Sequence, residues 1–247
     1  MTSINENFSL KEYMEKVVAD VDNSYEELIR WSEDQKKNFA VLVNDLKTQG
    51  ATTKETGDKL ERIVKFIINN SFFFEIYTNV HTETNEIDEV IRLSDRGKIA
   101  LHTLNIPRDL IPIGADLFLG ECKNYASRLN VTYVGKFYSL LTITGIPFGI
   151  IFTRVGLTGD TEGFEDANGL TKVLRMMEQA KNPSGDFCIL TFAKEDYEKM
   201  INGVSFFELI KAKKLELQLA SNYNNFIRDN KHSAEDDLKE IIGSLSN

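Results

Sequence analysis

Cysteine and histidine are scarce: the 247 residues hold two of the first and three of the second. Cys122 and Cys188 each lie in an apolar, strand-like run. Two buried, reduced thiols are therefore expected in place of a disulfide. The chain has no C-x-x-C pair and no His-rich spacing, which argues against zinc. His81, His102 and His232 form no spaced cluster, so none is expected to act as a ligand or catalyst. Long apolar runs are missing too: none approaches the roughly 18 residues needed to cross a bilayer. The opening "MTSINENFSL" lacks the basic and apolar regions of a signal peptide. The expected setting is cytoplasmic, with no membrane partner. Neither a helix-turn-helix nor a zinc-finger reader of nucleic acid is apparent.

A surplus of positive charge is also absent. The net charge of −9 argues against a non-specific nucleic-acid coat. It does not exclude a locally basic site, because residues 51–150 carry 11 basic and 12 acidic side chains and are almost balanced. That central stretch is where a polyanion would be least repelled. The hydrophobic fraction of 42% and charged fraction of 27% are those of an ordinary globular protein. The length suits one generous domain, or one domain with a helical appendage.

What is present begins with helical periodicity. Leu10, Tyr13, Met14, Val17 and Val18 follow one helical stripe. Tyr25, Leu28, Ile29, Phe39, Leu42, Val43 and Leu46 follow a second. Ser9 with Glu12 and Ser24 with Glu27 match the Ser-x-x-Glu capping box, so the second helix is expected to start near Ser24. Residues 1–50 thus read as a helical N-terminal region, whose stripes would serve packing or pair two copies into a homodimer.

A third helix is expected in "GDKLERIVKFIINN". Two strands with a turn near Thr82 to Asn85 follow in "SFFFEIYTNVHTETNEIDEVIRLS". "DRGKIALHTLNIPRDLIPIGA" reads as a long connection to a third strand at Asp116 to Asn124. A helix at "TYVGKFYSLLTITG", a strand at "IPFGIIFTR", a helix at "LTKVLRMMEQA" and a strand at "GDFCILTFA" come next. Helices then lead to a solvated polar tail from "RDNKHSAEDD" onward. The order implies an α/β protein with a mixed central sheet flanked by helices. Residues 51–204 would form its core, and 205–247 the C-terminal helices and tail.

The chemistry concentrates in "DLFLGECKNY" (116–125). In a strand Glu121 and Lys123 project from one face while Cys122 turns to the other. Burying such a pair for stability alone gains little, since each charge must be desolvated. Asp34 with Lys36 and Asp237 with Lys239 share the spacing, but in helical or tail segments where i and i+2 do not share a face. A divalent cation on phosphate needs a second carboxylate, and "TNEIDEVIRL" supplies Asp88, with Glu86 on its face and Glu89 on the other. Asp116 is rejected: its odd offset from Glu121 points it to the opposite face, about 16 Å along the strand.

Taken in order, "KLERIVKF", "NEIDEVIRL", "LGECKNY", "VTYVGKF" and "GIIFTRVGLTG" resemble the PD-(D/E)xK restriction-endonuclease-like superfamily, and in particular its Mrr-like nuclease branch. The resemblance spans about residues 55 to 200. It implies that Asp88 and Glu121 bind the metal, with the backbone carbonyl of Cys122 and Glu61 as further ligands, Glu61 often acting through water. Lys123 would position or deprotonate the attacking water. The implied cofactor is Mg²⁺, with Mn²⁺ as substitute, and the implied partner is DNA. The expected function is a metal-dependent endonuclease that hydrolyses DNA phosphodiester bonds, in restriction or defence against foreign DNA. The alternatives are a nuclease-fold DNA-binding or effector-regulated module without constitutive cleavage, and a helical interaction protein. The latter leaves the strand carboxylates unexplained. Asn124 and Lys136 are read as surface residues before phosphate contacts. Sequence-specific, modified, branched or free-end DNA, and RNA, would all suit the same centre.

Overall fold

The computed structural model describes residues 10–46, 48, 52–81, 86–159 and 164–219. Its centre is a five-stranded sheet built where β-branched and aromatic residues concentrate. The strands are β1 (Phe74–His81), β2 (Glu86–Leu93), β3 (Leu117–Lys123), β4 (Phe148–Thr153) and β5 (Cys188–Phe192). They lie in sequence order across the sheet. β1–β2 and β2–β3 pair antiparallel, while β3–β4 and β4–β5 pair parallel. Parallel neighbours require crossovers, which α5 (Val131–Thr144) and α6 (Asp166–Lys181) supply. All six residues of β4 are buried, as expected of a strand covered on both faces.

Helices α1 (Leu10–Ile29), α2 (Glu33–Leu46) and α3 (Thr53–Asn69) precede the sheet, and α7 (Lys194–Ile201) and α8 (Phe206–Leu219) follow it. One core lies on the sheet face carrying Phe118, Ile150, Phe152 and Phe192, where Phe39, Leu60, Ile63, Tyr197 and Phe207 pack. The other lies where Leu119, Ile151 and Ile189 meet Val134, Phe137, Leu141 and Leu174. The architecture is thus α/β, a mixed sheet flanked by helices with a helical N-terminal region. Among the described residues no helix is long and apolar enough to cross a membrane.

The structure corrects two boundaries. Ser24 does not start a helix: it lies inside α1, its hydroxyl donating to the carbonyl of Asp20 at 2.8 Å. The second helix begins after Ser32, whose N–H donates to Gln35 Oε1 at 2.8 Å while its hydroxyl accepts from Gln35 N–H at 3.3 Å. That is a capping box with glutamine in the third position. The long connection before β3 also holds a helix, α4 (Asp95–Thr103), which the Ser94 hydroxyl caps by accepting from Gly97 N–H. The turn from Thr82 to Asn85, the cap at Ser9 and the polar tail lie outside the described residues.

The two N-terminal stripes have different fates. Tyr25, Ile29, Phe39, Val43 and Leu46 are buried in the core that covers the sheet. Leu10, Tyr13, Met14, Val17 and Val18 are exposed, Leu10 at 77%. Cys122 is half-buried and Cys188 buried, and both are free thiols. Burial pushes the Cys188 thiol up to about 12, as expected of an inert one.

Candidate active site

β3 changes partner geometry along its length, antiparallel to β2 on one side and parallel to β4 on the other. The β2–β3 ladder runs from Arg92↔Leu117 to Glu89↔Gly120. One residue further along β2, Asp88 Oδ2 accepts the backbone N–H of Cys122 at 3.1 Å. A side chain thus satisfies a donor that the ladder leaves over. The same oxygen lies 3.0 Å from Lys123 Nζ, and that ammonium lies 2.7 Å from Glu121 Oε1. Asp88, Glu121 and Lys123 therefore meet at one point, with their side chains between 21% and 27% exposed.

The electrostatics follow from this crowding. Burial, and then the charge of Asp88, raise the carboxyl of Glu121 above its ordinary value, against the pull of Lys123. Burial alone would disfavour the Lys123 ammonium. The Glu121 carboxylate, with Asp88 behind it, outweighs that and holds the lysine well above its ordinary value. As it stands, Lys123 is a hydrogen-bond donor and a positive charge, not a base.

Glu61 does not join the three. On α3 it pairs with Lys65 at 3.4 Å, and its charge acts on Glu89 and Cys122. Glu89 and the Cys122 side chain lie together, the thiol 3.7 Å from Glu89 Oε1. Glu89 is completely buried, and its Oε2 has no hydrogen-bond partner. Burial, reinforced by Glu61, raises its carboxyl to about 8, so at neutral pH it is mostly a neutral acid. It sits across from Gly120, where an added Cβ would meet Glu89 Cβ at 2.8 Å.

Just past Lys123, the rings of Tyr125 and Tyr133 pack at a tilt of 53° with centroids 5.5 Å apart, and Tyr125 is 42% exposed. A hydrogen bond with Tyr133 raises the Tyr125 phenol, on which Lys123 and Glu121 also act. No motif in the sequence marks this pair; its only local signal is an aromatic residue two positions beyond Lys123. Asn124 is used structurally, its side-chain amide donating to the carbonyl of Thr56 at the start of α3. Lys136, on α5, contributes its positive charge to Glu121.

Among the described residues, no three His, Cys, Asp or Glu side chains form a group that could hold a metal ion. What the site offers is two carboxylates turned to a common point. Mg²⁺ commonly takes one or two carboxylates and completes its shell with water and substrate phosphate, so this oxygen donor set fits that ion. No family model, no curated protein and no solved structure matches the chain.

Proposed function

We propose that the protein is a Mg²⁺-dependent nuclease that hydrolyses DNA phosphodiester bonds, with a core resembling the restriction-endonuclease-like fold. The observation that carries this reading is the convergence of Asp88, Glu121 and Lys123, with both carboxylates within 3.0 Å of one ammonium. A metal-free surface protein has little to gain from two partly buried carboxylates forced together. Metal-assisted phosphodiester hydrolysis uses such an arrangement, because negative charge builds on the phosphoryl oxygens and on the leaving group and a carboxylate-held cation offsets it.

Asp88 and Glu121 would hold the cation at the end of the β2–β3 ladder. Mg²⁺ bound there would supply Lewis-acid stabilisation of the phosphoryl oxygens. Lys123 would orient the attacking water by donating to it, the role its protonated state allows. Mn²⁺ would substitute. Glu61 could act only through intervening water, given its pairing with Lys65. One such site cuts one strand, and the exposed stripe of α1 is the surface that would bring two copies together. Sedimentation equilibrium of a Val17→Glu variant tests this: a wild-type chain that is monomeric at micromolar concentration would remove it.

The decisive experiment incubates the purified chain with supercoiled, linear and single-stranded DNA in Mg²⁺, Mn²⁺ or EDTA. Cleavage that depends on the cation is expected. Intact DNA in every tube would replace this reading with a DNA-binding module of the same fold.

A further inference from the structure

Tyr125 stands two residues past Lys123, in the loop between β3 and α5, so at most about 7 Å separates their Cα atoms. The charges of Lys123 and Glu121 both act on its phenol, which places the ring near the three charged groups. The loop is pinned at both ends. On one side the Asn124 amide donates to the Thr56 carbonyl. On the other, Leu129 bridges to Leu157, its N–H donating to the Gly156 carbonyl at 3.0 Å and its carbonyl accepting Thr158 N–H at 2.9 Å. A loop so held presents its side chains from a fixed frame, the usual setting for a binding residue.

The ring is also braced. Tyr133, on α5, is partly buried against the core around Leu129 and Phe137, and Tyr125 packs on it with a hydrogen bond joining the two phenols. Tyr125 itself belongs to neither core and keeps 42% of its surface open. Nearly one helical turn on from Tyr133, Lys136 sends its positive charge to Glu121. A neutral aromatic surface thus stands next to two cations, Lys123 and Lys136, where a phosphate would meet the two carboxylates.

We propose that Tyr125 stacks on the base of a nucleotide adjoining the scissile phosphate, so that the substrate is single-stranded DNA in preference to continuous duplex. This rests on the nuclease reading and narrows it to a substrate class. Inside a duplex both faces of a base are covered by its neighbours, whereas every base of a single strand offers a π-face, whatever its identity. A tyrosine flanking a duplex would meet sugar and phosphate, and its hydroxyl would make the contact. The Tyr125 hydroxyl is already engaged by Tyr133, and the open ring is what remains for the substrate.

Fluorescence anisotropy of the full chain with a dye-labelled single strand, and with the same strand in a blunt duplex, reads binding in Ca²⁺ buffer with no need for cleavage. Tighter binding of the single strand is expected. Tyr125→Ala should weaken it by about 5- to 150-fold, the usual loss for one base–aromatic stack, and leave duplex binding unchanged. Tyr125→Phe, which keeps the ring and drops the hydroxyl, should recover most of that loss. Duplex bound as tightly as the single strand would overturn the proposal. So would an alanine variant that binds the single strand like wild type, or a phenylalanine variant as weak as the alanine one. A chain that binds single strands through Tyr125 yet cuts none in Mg²⁺ would refute only the nuclease reading. One that cuts DNA in Mg²⁺ but binds single strands equally well with or without the Tyr125 ring would refute only this one, and one that binds neither DNA would overturn both.

Discussion

Asp88 does for Cys122 what the next rung of the ladder would have done, accepting its backbone N–H at 3.1 Å. The same carboxylate oxygen is 3.0 Å from Lys123 Nζ, so one side chain both ends the β2–β3 pairing and helps assemble the charged site. Structure and chemistry can be separated there by substitution. Asp88→Asn keeps an oxygen able to accept the Cys122 N–H, whereas Asp88→Ala leaves that donor without a partner, at a cost of about 1–3 kcal/mol. Urea denaturation should place the asparagine variant near wild type and the alanine variant below it, while neither cuts DNA. Equal stability of the two would show that the hydrogen bond contributes nothing, and near-normal cleavage by either would remove Asp88 from the site.

Gly120 sets how closely β2 can bring that carboxylate to β3. A Cβ at this position would lie 2.8 Å from Glu89 Cβ and 3.3 Å from a ring carbon of Phe152. Neither is the loose end of a flexible chain, so backbone or ring must shift. Gly120→Ala is expected to cost about 1–3 kcal/mol, the usual range for overpacking a core. A lower urea midpoint at unchanged m-value checks it, and a variant as stable as wild type would show that the strands yield there freely.

Much of this frame was legible in the sequence, and the exceptions have physical causes. β4 could be read because six consecutive core residues leave a continuous apolar signature. Ser24 misled because Ser24 with Glu27 satisfies a local capping pattern, although the apolar stripe runs on through Ile29 and the true cap uses Gln35. The helix at Asp95–Thr103 was hidden by Gly97, a poor helix former. That glycine is required by a distant neighbour, since a Cβ there would lie 2.4 Å from the Phe73 carbonyl oxygen. In the site, the shared face of Glu121 and Lys123 follows from strand alternation alone. The ammonium's bridge to Asp88, and the burial of Glu89 against Gly120, depend on where two strands stop pairing, which no local pattern encodes.

Glu216 gives the fold a pH dependence distant from Asp88, Glu121 and Lys123. Burial raises its carboxyl to about 7, with Lys213 on α8 and Lys172 on α6 pulling it down, Asp196 on α7 pushing it up and Lys199 on α7 pulling it down. The native state then holds a proton that the unfolded chain, with an ordinary carboxyl near 4.5, has already released. Stability from this group is complete below about pH 4.5, declines as pH rises to about 7, and is level above that. The loss is on the order of 3 kcal/mol. Glu216→Gln should abolish this component, so the gap between wild type and variant should shift in the variant's favour from pH 5 to pH 8 in urea titrations. A gap that stays constant across that range would show that Glu216 titrates normally.

Lys123 separates catalysis from binding. Its ammonium is held by Glu121 at 2.7 Å and Asp88 at 3.0 Å and stays protonated across the neutral range. If it orients the attacking water, Lys123→Ala should slow single-turnover cleavage at saturating DNA by roughly 10²–10⁴, the usual loss for a positioned proton-handling group. DNA affinity in Ca²⁺ buffer should fall much less. If it only contacts phosphate, affinity and its salt slope should fall together while the single-turnover rate holds. Removing it also leaves two carboxylates facing each other without their shared cation, so the variant's urea midpoint in EDTA should fall and should recover as Mg²⁺ is added. Cys122→Ser is the control. Its side chain packs toward the opposite core and lies beside Glu89, so it should lose some stability and keep its cation-dependent cleavage. A folded Cys122→Ser variant as inactive as Lys123→Ala would place the chemistry on the Glu89 face of β3.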